Sequence, residues 1–200
     1  MRKTTIYLRA LFGSAIVMLF LGTSSCKNES KPEDTKEVAE EANEAKFEEN
    51  DDKEDDSEFL VAAAESDMME IEIGKLALSK SKNADVKEFA TMMVTDHTKA
   101  SNETKPFAEK LQVSLPAAIT DKGKEKYNEL NEKSGHDFDE KFADIMVNNH
   151  EDAVRRMEKA AENAEDPAIR TWAGNMVPTL KGHLEHAKML QEKVKNTKQQ

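Results

Sequence analysis

The sequence predicts an all-α protein: an up-down-up-down four-helix bundle, with a short connecting helix between the second and third long helices. Three observations carry this prediction. Apolar residues recur at steps of three and four over four long stretches, the period of a helix with one buried face. Strand-like alternation is almost absent, and only seven glycines occur in 200 residues. Two breaks, at residues 81–83 and near 165–166, are so short that they must join antiparallel neighbours.

Ahead of the helices, the chain divides into residues 1–25 and 26–56, leaving 57–200 as the helical domain. Arg2, Lys3 and Arg9 accompany an apolar run over residues 10–21, and Gly22, Thr23, Ser24 and Ser25 then lead into Cys26. That order is the plan of an export signal, and the run is shorter than the roughly 18 residues of a spanning helix. Cys26 is the single cysteine, so no intramolecular disulfide forms. A lone cysteine directly after small residues resembles a bacterial lipobox, although Thr23 stands where leucine is usual. The resemblance implies cleavage before Cys26 and acylation there, with two or more chains giving stable anchoring. The expected location is the cell envelope, most naturally the outer membrane, facing the periplasm or the cell surface.

Residues 27–56 hold 14 Asp or Glu against five Lys, which is most of the acidity of a chain whose net charge is −11. So little apolar surface predicts a disordered, self-repelling tether. Such a balance also excludes nucleic acid as a partner, since nothing would displace counterions from phosphates.

The first long helix is expected over 57–80, with Phe59, Ala63, Ile73 and Ala77 on one face. Asn83 is an N-cap for the second, 84–112, whose stripe is Val86, Ala90, Met93, Ala100 and Leu111 and which Pro106 should kink. After Ser114, Leu115 and Pro116 comes a short polar helix over 120–133, ending near Gly135. The third long helix, 137–164, turns Phe138, Phe142, Met146, Ala153 and Met157 inward. Asp166 followed by Pro167 is a strong restart, and the fourth helix, to about 195, buries Ile169, Trp172, Met176, Leu180, Ala187, Leu190 and Val194.

Four polar residues interrupt these stripes, one per long helix: Glu70, His97, His150 and His183. If both tight turns lie at one end of the bundle, Glu70 is about 12 and His97 about 15 residues from the first turn, and His150 about 15 and His183 about 18 from the second. At 1.5 Å per residue all four share a level. Carboxylate and imidazole together suit one divalent first-row ion such as zinc, iron or copper. The alternative is a metal-free hydrogen-bonded polar layer in which Glu70 accepts from a histidine. Asp96 and Glu72 sit beside the stripe as outer partners or as solvated charges, as does Glu151. His186 faces partly outward and His136 is expected to be exposed. Met68, Met69, Met92 and Met93 read as core.

The segment from Glu70 to Ala77, Val86-Lys87-Glu88-Phe89-Ala90, and Asp96-His97 resemble the first half of a known family. Gly135 to Asp139, His150-Glu151, and Pro178 through His183 to Leu184 resemble its second half. It is a ferritin-like group of exported bacterial proteins, catalogued as domain of unknown function 4142 and often labelled outer-membrane proteins. The resemblance covers about residues 57–192 and implies a ferritin-like fold without an assigned activity.

A di-iron carboxylate bundle needs Glu-x-x-His on two helices, and Val94, Val147 and Leu180 stand three residues before the interior histidines. Di-iron chemistry is therefore disfavoured, and no nucleophile motif or phosphate loop occurs. Two functions remain. One is a lipid-anchored envelope protein whose bundle is a non-enzymatic binding or stress-related module. The other is a metal-binding module, for sensing, storage or redox work, built on a single interior Glu/His site.

Overall fold

A computed structural model describes residues 33–197, and the secondary structure of those residues is all helical. The elements are α1 (Thr35–Phe47), α2 (Asp51–Lys80), α3 (Ala84–Leu111), α4 (Asp121–Asn131), α5 (Gly135–Asn163) and α6 (Pro167–Thr197). Their ends follow local chemistry. The Asn83 side chain accepts from the Asp85 N–H at the start of α3, Thr120 Oγ1 from Gly123 at the start of α4, and Asp166 Oδ1 from Ala168 at the start of α6. Gln112 closes α3 in the left-handed region at φ 58°. Helices α3 and α6 continue through Pro106 and Pro178.

Two expectations are corrected. The first concerns the tether, expected to be disordered over 27–56, with the domain starting at 57. Among the described residues of that stretch, α1 packs on α2, and α2 begins six residues before that boundary. Ala39, Asn43 and Phe47, four apart, form a buried face on α1. Asn43 clamps Ser114 from both sides, donating to its carbonyl at 3.0 Å and accepting its N–H at 2.7 Å. Lys46 reaches the Gln112 carbonyl at 2.6 Å, and Asp34 accepts from the Asp121 N–H. Asp56, near the end of the acidic run, is buried and accepts from the N–H groups of Glu165 and Asp166 at 2.9 and 2.8 Å. A narrow apolar face is enough to dock a helix whose other residues are charged and solvated. Residues 1–25 and Cys26, with the signal and lipidation site read there, lie outside the described residues.

The second correction concerns direction. Helices α2 and α3 pack as one hairpin and α5 and α6 as another, with α2 against α5 and α3 against α6. The C-terminal end of α2 meets the start of α5, where Ser81 Oγ donates to Asp139 Oδ1 at 2.6 Å. Lys193, late in α6, pairs with Asp85 at the start of α3 at 2.6 Å, and Lys110, late in α3, pairs with Asp166 at 2.6 Å. The long helices therefore run up, down, down, up, and the two tight turns lie at opposite ends. Residues 112–134 make the crossover. An 11-residue helix spans about 16 Å and a dozen extended residues about 40 Å more, enough to traverse helices of some 45 Å.

The core divides along the axis. One cluster, around Ile73, Phe89, Met93, Phe138, Phe142 and Leu190, fills the end near the α2–α3 turn. The other, around Leu60, Val61, Met157, Ile169, Trp172 and Leu180, fills the end near the α5–α6 turn. Between them lies a polar layer.

Candidate metal centre

The layer holds Glu70 and Asp67 from α2, His97 from α3, His150 from α5 and His183 from α6, all buried. Step-of-four spacing aims each into the axis, as the sequence predicts. Gly74, one turn beyond Glu70, lets α2 and α3 approach closely: a Cβ there would lie 2.8 Å from Val94 Cγ2. That approach brings the polar face of α2 onto His97.

The three histidines form a compact triangle, with ring centroids 5.6, 6.0 and 5.4 Å apart for the 97–150, 97–183 and 150–183 pairs. One ring nitrogen from each lies within 4.8 Å of the other two. Glu70 sits beside this group rather than in it.

Each ring is held from behind by an acceptor. His97 Nδ1 is 2.8 Å from Asp67 Oδ1, His150 Nδ1 is 2.9 Å from the Met146 carbonyl, and His183 Nε2 is 2.9 Å from Asp96 Oδ2. A carbonyl or carboxylate only accepts, so these nitrogens carry the protons. In the neutral rings the opposite nitrogens then bear lone pairs: His97 Nε2, His150 Nε2 and His183 Nδ1. All three are buried with no hydrogen-bond partner among the described residues, and so is Glu70 Oε2. A buried polar atom without a partner costs about 1–3 kcal/mol, so four in one layer call for a common ligand. Imidazoles oriented by a hydrogen bond at the far nitrogen are the usual outer architecture of metal sites.

The electrostatics agree. Burial pushes the Glu70 and Asp67 carboxyls above their ordinary range, against the pull of His97. Burial alone would lower His97, but the Asp67 hydrogen bond and the Glu70 charge hold it above its usual value. Burial lowers His150 and His183 to about 4, so both are neutral donors at neutral pH. Glu70 Oε1 accepts from Asn149 Nδ2 at 2.8 Å, and Asn149 Oδ1 accepts from Lys126 of α4 at 2.5 Å. With both carboxyls raised by burial and two of the three imidazoles held neutral, a bound dication would supply the positive charge that the ionised carboxylates need in this interior.

The sequence-predicted residues divide accordingly. Glu70, His97, His150 and His183 are brought to one layer, and Asp96 stands directly behind His183. Glu72 does not join them: it is part-exposed and pairs with Lys75 at 2.7 Å. Glu151 pairs with Lys188 at the surface. His136, expected to be exposed, is half-buried and donates from Nε2 to the Val194 carbonyl at 2.9 Å. Sequence reading missed Asp67 and Asn149. The signal for Asp67 was available, since it lies three residues before Glu70 on the same helical face.

The family described as a domain of unknown function (DUF4142) matches residues 37–190, a span that begins inside α1. The chain belongs to this family. No curated protein matches it. Among solved structures, the DUF4142 domain is similar in fold to CopM in the Cu(II)-bound form. The TM-score is 0.59 at 17% identity, over 69% of this chain and 96% of that one.

Proposed function

We propose that this DUF4142 protein is a lipid-anchored, non-enzymatic module of the cell envelope that binds one first-row divalent metal ion inside a ferritin-like bundle. His97, His150 and His183 are the ligands, and Glu70, which stands just outside their triangle, would turn its Oε2 in as the fourth protein donor. The observation that carries the reading is the convergence of three buried, partnerless imidazole nitrogens, each on a ring fixed from behind. One long crossover is also the connectivity of ferritin-like bundles. The all nitrogen and oxygen donor set favours copper(II) and zinc over softer ions, with copper(II) bound most tightly in the ordinary order of stabilities. The fold neighbour CopM, described in a Cu(II)-bound form, supports the same choice. Anchoring rests on Cys26 and the signal before it, and gives the module a place where envelope metal could be sensed, stored or held for redox work.

The test is metal analysis of protein purified without added metal, followed by melting curves with copper(II), zinc and iron(II) beside a chelator control. Binding to the folded state raises the melting temperature with the logarithm of free metal. His97→Ala and His183→Ala should abolish that rise, and His136→Ala should keep it. No shift with any of the three metals would leave the layer as a structural hydrogen-bonded one.

A further inference from the structure

Against the histidine group lies a cavity of about 30 Å³ walled by all four long helices. Ser66, Asp67, Asp96, His97, Arg156 and His183 form its polar wall, and Ala63 and Ala100 are among the small residues that leave it open. Neither Glu70 nor His150 lines it. The cavity extends toward the Ala63 and Ala100 level, whereas Glu70 lies one turn the other way along α2. A single water needs roughly 10–15 Å³ of such space, so there is room here for a water or a short linear ligand but not for a ring. Asp96, whose side chain is 39% exposed, carries the cavity wall to the surface.

Metal sites that serve only structure are closed, with four protein donors and no room beside them, whereas reactive sites keep a position open. Resting on the metal reading above, we infer that the ion keeps one coordination position open toward this cavity and takes there a small exogenous ligand: water, hydroxide, or an anion of two or three atoms. Three imidazoles and Glu70 hold the ion from the remaining directions. Asp96, at the wall, can accept a proton or hydrogen bond from a bound water through the space it shares with His183.

The experiment uses the full chain loaded with copper(II) and titrated with azide, followed by absorption and electron paramagnetic resonance. Copper content is measured first. Azide should give a saturable charge-transfer band and altered resonance parameters without loss of copper, whereas free imidazole should give neither. Ala100→Leu fills the cavity and should weaken azide binding about tenfold or more while leaving the azide-free copper spectrum unchanged. Ala63→Val is a milder filling that should act in the same direction. A stoichiometric copper protein whose spectra ignore azide would overturn the open position. Equal azide affinity in wild type and both variants would overturn its placement in this cavity. Failure to take up copper, zinc or iron(II) would instead overturn the metal reading itself, and is read before azide is added.

Discussion

Replacing His150 with leucine should stabilise the metal-free protein and remove its response to metal. In the metal-free fold, His150 is 1% exposed, and its Nε2 has no partner. Its Nδ1 donates only to the Met146 carbonyl, one turn back on its own helix, an oxygen that already serves the helical ladder. Leucine therefore removes one orphaned atom, worth about 1–3 kcal/mol, without creating another. It also loses edge contacts with Phe89, His97 and His183, at centroid distances of 6.3, 5.6 and 5.4 Å. Such contacts are worth about 0.5–1.5 kcal/mol a pair, so losing three offsets the gain, and the apolar burial of leucine, about 1.5–3 kcal/mol, leaves a net gain on the order of 1 kcal/mol. For a domain of this size that is roughly 2–4 °C in melting temperature. Wild-type protein in metal at a hundred times its Kd should gain about 2.7 kcal/mol, and the variant none of it. Differential scanning calorimetry with chelator and with copper(II) reads both quantities. A variant that melts several degrees lower without metal, yet keeps the metal-induced rise, would refute the reasoning and mark the layer as structural.

Imidazole resonances followed by NMR in metal-free protein should show His150 and His183 untitrated from pH 8 to 5, since the fold holds both near 4, while His97 titrates above its usual value. The unfolded chain protonates the first two near 6.5, so their contribution to stability falls as pH drops from there toward 4, and His97, whose folded value is raised, contributes with the opposite sign. Metal binding should weaken as pH falls through the His97 transition, which competition titrations at several pH values measure. Asp67→Ala should weaken metal affinity about 10–100-fold through loss of ring orientation, whereas Glu72→Ala should leave it unchanged in the same titration. Cys26→Ser should move the protein from the membrane to a soluble fraction or trap an uncleaved precursor, and unchanged fractionation would count against the anchor.

Much of the site was legible because side-chain direction on a helix is set by spacing alone. Glu70, His97, His150 and His183 fall on apolar stripes, and that suffices to aim them inward. Their common level survives the reversed direction of the second hairpin. His150 lies at the middle of α5, so its height is the same counted from either end. The direction of α5 itself was not legible. It depends on where residues 112–134 travel, and α4 is so polar that little but Gly123 and Leu130 marks a buried face. Asp67 shares the Glu70 face by spacing, but an acid on a charged helix reads as solvated until its partner on another helix is known. Helix α1 stayed hidden for a related reason: net charge reports the average over a segment, while docking depends on Ala39, Asn43 and Phe47 alone.

The docking of α1 changes the reach of an anchored molecule. A free segment of 30 residues, 27–56, would have a contour length of about 100 Å. With α1 clamped to Ser114 and Gln112, only seven residues, 27–33, separate Cys26 from the first described cap at Asp34, a leash of no more than about 25 Å. A lipid at Cys26 would then confine the domain to a shell a quarter as deep. The local concentration of its metal site at the bilayer surface would be several-fold higher than a long tether allows. Such a molecule would sample what passes at the membrane face, and would reach little beyond it.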